Sequence, residues 1–235
     1  MMSVPDRMDE RLRALGLVEA QRMAEALFAT TAARGLVVPG RSERAASDRI
    51  GDLARELFGT AARLPGPLVR SGPHTLLPYG PETSDRVIGE DDVVVAELGS
   101  VLAVSEAGFA STLVFGQDPD KHRLALDLPR MFTACREALL ADSRITGRGL
   151  HAELQALAAT SGWTVAGWHC GHLVGADPSA GVRDVRPDAY ICAENDRQLR
   201  RTLQGGWQAH WILEIHLVDG RRGFGGSYKR LLDLV

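Results

Sequence analysis

Apolar residues recur at helical spacing in two stretches near the N-terminus. Across "DRMDERLRALGLVEAQRMAEALFATTAARG", residues 6–35, Leu12, Leu15, Met23, Leu27 and Phe28 fall roughly on one stripe, and Gly35 stops it. Across "SERAASDRIGDLARELFG", residues 42–59, Ser42 is placed to cap a helix whose buried side is Ile50, Leu53, Leu57 and Phe58. The passage "RLPGPLVRSGPHTLLPYGPETSDR" that follows is too rich in proline and glycine for a helix, and its punctuation predicts ordered loops. The period then changes. "DDVVVAELGSVLAVSEAGFAST", residues 91–112, reads as a buried strand, a glycine turn and a returning strand, with strands dominating as far as Phe115. Two further helices are expected in "KHRLALDLPRMFTACREALLAD", interrupted at Pro129, and in "GRGLHAELQALAATSG". The last third returns to strands in "DAYICA", "HWILEIHLVD" and "GFGGSYKRLLDLV". Helices and strands alternate in blocks with no stretch of linker composition. The expected architecture is therefore one α+β domain over residues 1–235, with residues 1–60 a helical lead-in and 61–235 the core.

Composition narrows the classes of function. The chain is 45% hydrophobic and 24% charged, in the range of soluble globular proteins, and its 235 residues suffice for a substantial core. A net charge of −3 argues against nucleic acid or an anionic membrane as the main partner. No apolar run approaches the roughly 20 residues of a membrane helix, and "MMSVPDRMDERLRALG" lacks the apolar core of a signal peptide. Cytoplasm is the expected compartment. Cys135, Cys170 and Cys192 are too few and too scattered for a disulfide framework and read as reduced thiols, with Cys170 of interest for standing two residues from His172.

The order of several motifs resembles the pita-bread family of methionine aminopeptidases, prolidases and creatinase. "SGPHTLLPYGPETSDRVIGEDDVVVAELG" is similar to that family's approach to its first strand. Residues 97 and 108 keep its spacing between two metal-binding aspartates, and "CGHLVG" resembles the segment around its histidine ligand. "WILEIHLVD" and "GFGGSYKRL" resemble its two closing strands, each of which supplies a glutamate. The resemblance runs from about residue 15 to the end and implies a curved antiparallel sheet whose cleft holds two divalent metals. Carried over residue by residue, it puts Glu97 at the chelating position, His172 at the histidine and Glu214 at the first glutamate. The bridging positions fall on Gly108 and Lys229, and the substrate-facing histidine position falls on Tyr79. The family's second histidine has no counterpart in "GADPSAG".

Those departures bear on chemistry. Shared carboxylates are what make two adjacent hard cations tolerable, and both bridging positions lack one. A doubly charged ion about 4 Å from an ammonium costs roughly 8 kcal/mol at an effective dielectric near 20. The expectation is an enzyme without a metal cofactor, acting on a small organic substrate, in specialised metabolism. His172 would work with Glu97 and Glu214 in acid/base chemistry, Lys229 and Tyr79 would assist electrostatically, and the reaction would be a cyclisation, isomerisation or elimination. Trp168, Trp211, His216, Glu106 and His74 are the candidate substrate-binding residues. Two alternatives stand beside this: one divalent metal (zinc, manganese or iron) on Glu97, His172, Glu214 and His216 in a hydrolase or oxygen-using enzyme, and an inactive binding protein. Partners are expected to be a small molecule, no nucleic acid and no membrane, with a homodimer left open. "GRRGFGG" falls between strands and reads as a turn, and "RQLRR" as a solvated face, with an anchor for an anionic substrate as the minority reading.

Overall fold

Glycine and capping residues set where the first helices stop and start. A computed structural model describes residues 7–59, 69–77, 84–98, 108–176 and 186–234. Helix α1 runs Arg7–Ala33 and α2 Glu43–Phe58. The Ser42 side chain accepts from the Ala45 N–H at 3.2 Å, as the sequence leads one to expect, and Gly59 closes α2 at φ 65°, where a Cβ is disfavoured. The expected stripe on α1 needs correction. Leu12 and Leu15 are 60% and 57% exposed, and the buried line is Leu17, Ala20, Ala24, Leu27 and Thr31. Small residues there let α1 lie close to its neighbours, and the apolar size of Leu12 and Leu15 misled the count. Leu57, expected inside, is 39% exposed, while Ile50 and Leu53 are buried.

Eight antiparallel strands follow, with β1 Val69–Ser71, β2 Val93–Glu97, β3 Ala110–Val114, β4 Thr164–Val165, β5 His169–Leu173, β6 Tyr190–Cys192, β7 Trp211–Asp219 and β8 Phe224–Leu231. They join in the order β1-β2-β3-β8-β7-β5-β6, with β4 also on β7. "GRRGFGG" makes the β7–β8 turn, with Gly223 at φ 75° and its N–H bonded to Asp219 O. The seam between the halves is narrow, because β3 and β8 are in register at Ala110 and Lys229 alone among the described residues.

Helices α3, Pro119–Ala141, and α4, Gly147–Thr160, complete the described α-helices. The expected interruption at Pro129 does not occur, and α3 continues through it. Proline inside a helix costs about 3 kcal/mol. Leu124, Leu128, Met131, Phe132, Cys135 and Leu139 are buried along one side, before and after the proline, and their burial offsets that cost. Two large apolar clusters result. One joins α3 and α4 to Leu213, Ile215 and Leu217 of β7, and the other joins α1 and α2 to Val94, Ala96 and Leu98. Strand alternation sends Glu97 and Glu214 to the opposite face from those residues. No described helix is long and apolar enough to cross a membrane.

A charged clasp ties the start of α1 to the end of the sheet. His210 Nδ1 is 2.6 Å from Asp233 Oδ2, and its Nε2 is 3.0 Å from Glu10 Oε1. Burial opposes the imidazolium and Arg13 repels it, but Asp233 and Glu10 prevail and its pKa is raised. Stability from a raised histidine is fully present below its unfolded pKa near 6.5 and is lost as pH rises through the higher folded value. Intrinsic-rate-corrected amide exchange in the first turns of α1 should therefore quicken between pH 6 and pH 9. His210→Gln should abolish that pH dependence.

Candidate active site

Cross-strand register assembles a transverse polar row on the face away from the two large clusters. Glu97 stands opposite Ala110, Ala110 opposite Lys229, and Lys229 opposite Glu214, so the four side chains project to one side across β2, β3, β8 and β7. His172 on β5 stands opposite Ile212, two residues before Glu214, and so belongs to the same face.

The charges pair within the row. Lys229 Nζ lies 2.7 Å from Glu214 Oε2, an ion pair between two largely buried side chains. Burial alone would raise the Glu214 carboxyl, but the adjoining ammonium outweighs it and holds Glu214 down at about 2. Glu97 accepts from Arg70 Nη2 at 2.5 Å, both side chains being buried. Its pKa is nevertheless raised, because burial outweighs the pull of Arg70 and Lys229 and the Glu214 charge adds to the push. Arg70 escaped the sequence reading. A charged residue between apolar Val69 and the Ser71-Gly72 loop was its only signal.

His172 is 4% exposed. Its Nδ1 faces Leu173 O at 3.2 Å, which fixes the proton there, and Nε2 is buried with no hydrogen-bond partner among the described residues. Burial and the nearby Lys229 charge lower its pKa to about 4, so the ring is neutral at pH 7. His169 also acts on the row, since a proton on its ring lowers both His172 and Glu214. Alternation along a strand would put positions 169 and 172 on opposite faces. They share the site because β5 is bulged: two residues of β5 oppose one of β6 between the pairs His169–Cys192 and His172–Tyr190.

Gly108 explains how the row is packed. A Cβ at position 108 would sit 2.6 Å from Ile212 Cγ2 and 2.8 Å from Lys229 Cε. The lysine stem and Ile212 thus occupy the space that a side chain there needs.

The other candidates separate. Trp211 lies on the helix-covered face with Leu213, 1% exposed, and its indole N–H donates to Leu199 O at 2.9 Å, so it packs the core and does not line this face. Trp168 is half-buried, 4.7 Å from the rings of His169 and Tyr190. His216 follows Glu214 on the same face but bonds Thr75 O through Nε2 at 2.7 Å, and burial lowers its pKa. His74 pairs with Glu43 at 2.9 Å, fixing the loop of residues 72–77 to α2. Tyr79 and Glu106 fall outside the described residues. Cys170 faces away from His172, its thiol directed at Ile191 O, and burial raises it far above the thiolate range. Among the described residues no three His, Cys, Asp or Glu side chains are grouped to hold a metal ion.

Comparison with known proteins agrees with this architecture. The profile of metallopeptidase family M24 matches residues 16–206. An X-Pro aminopeptidase from Thermotoga maritima superimposes with a TM-score of 0.67 at 18% identity, over 100% of this chain and 61% of its own. A dipeptidase from Pyrococcus horikoshii gives 0.70 at 16% identity, over 98% and 61%. The methionine aminopeptidase of Thermotoga maritima gives 0.61 at 15% identity, over 100% and 96%. The chain thus spans about three-fifths of the first two structures and nearly all of the third. These likenesses establish the pita-bread α+β fold. No curated protein sequence gives a match.

Proposed function

The chain belongs to metallopeptidase family M24, and from that membership we propose an enzyme that has replaced dinuclear hydrolysis with acid/base chemistry on a small organic substrate. The position of Lys229 carries the reading. Its ammonium lies 2.7 Å from Glu214, and its stem takes the space a carboxylate at position 108 would need. The residues present do not fit a pair of metals, because cations of the chain itself, Lys229 and Arg70, already neutralise Glu214 and Glu97. A single ion fares little better. It would take His172 Nε2 and Glu214, while Glu97 and His216 are committed to Arg70 and to Thr75 O.

The same arrangement suits proton transfer. His172 is a neutral imidazole with Nδ1–H tied to Leu173 O, so the lone pair on Nε2 is free to accept a proton from substrate. The Lys229 ammonium would then face the negative charge left on the substrate, with Glu214 ionised beside it. The proton held on His172 Nε2 can return to a different substrate atom, which gives isomerisation, or assist departure of a leaving group, which gives elimination. Neither needs a hydroxide. Residues 1–235 as one domain belong to the same proposal, supported by a sheet that runs unbroken from β1 to β6.

The test pairs two assays on chelator-treated protein. Small carbonyl compounds with acidic C–H bonds, incubated in D2O, should take up deuterium faster with the protein than with His172→Ala. X-Pro and methionyl dipeptides should stay intact when manganese, cobalt or zinc is added. Metal-dependent peptide hydrolysis that disappears in His172→Ala would contradict the proposal, and binding of a partner protein unaffected by that change would favour a scaffold.

A further inference from the structure

A second cavity, on the other side of β8 from Lys229, has chemistry of its own. It encloses about 300 Å³ between α1, α3 and the end of β8, and three arginines line it: Arg22, Arg136 and Arg230. Glu25 is the one acidic residue in the lining, so the cavity carries a net charge of two positive in a chain whose net charge is −3.

Arg230 is the built part. It is 8% exposed, held between the rings of Phe109 and Tyr228 at 3.5 and 4.3 Å, and its Nη1 donates to Ala110 O at 2.6 Å and Lys229 O at 2.7 Å. Its charge is met weakly, by Glu25 at 3.7 Å from Nε, and burial lowers its pKa to about 10. Arg22 and Arg136 have no hydrogen-bond or ion-pair partner among the described residues. Gln21 is fixed beside them, its Oε1 accepting from Leu231 N at 2.6 Å and its Nε2 donating to Glu25 at 3.3 Å. Glu25 offsets one of the three guanidinium charges, and the remaining two repel one another unless a further anion joins them. The remaining wall is apolar, with Phe132 and Tyr228 in edge contact at 5.3 Å beside Leu231 and Leu234.

We propose that this cavity binds a small organic carboxylate, its charged end on Arg22, Arg136 and Arg230 and its apolar body against Phe132 and Tyr228. A guanidinium fork matches a carboxylate through two parallel N–H donors, which a point charge cannot do. The aromatic edge pair gives the body of the ligand a flat apolar surface. Arg230 also spans the carbonyls of Ala110 and Lys229, the one registered pair among the described residues that joins the halves of the sheet, so occupancy would bear on the strand that carries Lys229. The proposal stands apart from the acid/base reading, because no residue of the polar row lines this cavity.

Calorimetric titration of the full chain with benzoate, with the uncharged isostere benzamide and with inorganic phosphate tests it. Benzoate should bind to wild type, benzamide should not, and phosphate should bind more weakly than benzoate. Losing two charge-assisted contacts in R22A/R136A should weaken benzoate by at least about tenfold. Neither arginine has a partner among the described residues, so the double variant should melt as wild type does. Its heteronuclear NMR spectrum reports the fold independently. Failure of benzoate to bind, equal binding of benzamide, tighter binding of phosphate, or benzoate binding unchanged in a folded R22A/R136A would each overturn the proposal.

Discussion

Lys229→Met is expected to cost about 3–5 kcal/mol of unfolding free energy at pH 7, because it strands the Glu214 carboxylate in a buried row. The two side chains are 8% and 18% exposed, too little for water to replace the lost partner. The pH dependence carries the same signature. Glu214 is held at about 2 in the folded chain against an ordinary value of 4.5. A depressed carboxyl contributes stability that is present above its unfolded pKa and is lost as pH falls through the folded one. Wild type should therefore lose about 3 kcal/mol between pH 4.5 and pH 2 from this group. In Lys229→Met that loss should vanish, so the two proteins should converge in stability as the solution is acidified. Urea melts at pH 7, 4.5 and 3 measure both effects. A variant as stable as wild type at pH 7 would mean that Lys229 and Glu214 do not pair.

Gly108→Asp is expected to destabilise by about 1–3 kcal/mol from overpacking alone, with the added cost of a third buried carboxylate. The Lys229 stem can move aside from a new Cβ, but Ile212, 1% exposed and stiff at χ1, cannot do so readily. The double change G108D/K229E should behave differently. It removes the lysine stem from the crowded space and places carboxylates at both positions where the resemblance assigns bridging ligands. Calorimetry with manganese or cobalt should then detect binding that wild type and Gly108→Asp alone lack. Binding by wild type equal to that of the double variant would show that Lys229 is no obstacle to a metal.

Much of this arrangement was legible in the residues. The order of the motifs was enough to identify the family and the fold, and the spacing from Glu97 to Gly108 marked two of the four strands across which the row runs. Period-2 alternation along "HWILEIHLVD" puts Glu214 and His216 on one face. What stayed hidden depended on contacts between distant segments. Arg70 is known as the partner of Glu97 only once β1 is laid beside β2. His169 enters the site through a bulge, which periodicity cannot register. Trp211 reads equally well as pocket wall or core until the pairing of β7 decides its face. On α1, Leu12 and Leu15 are large and apolar yet exposed, and the buried line runs through smaller residues, Ala20 and Ala24. Pro129 predicts a break in a helix, but the packing of α3 holds the helix through it.

The replacement of metal by the chain's own cations is the claim on which the rest depends, and metal content tests it directly. Plasma mass spectrometry should be run on protein purified without chelators, and again after dialysis against zinc, manganese and iron. The account predicts occupancy far below one ion per chain under every condition, unchanged in His172→Ala and Glu214→Gln. One or two ions per chain, lost in those variants, would contradict it and return the protein to metal-dependent chemistry.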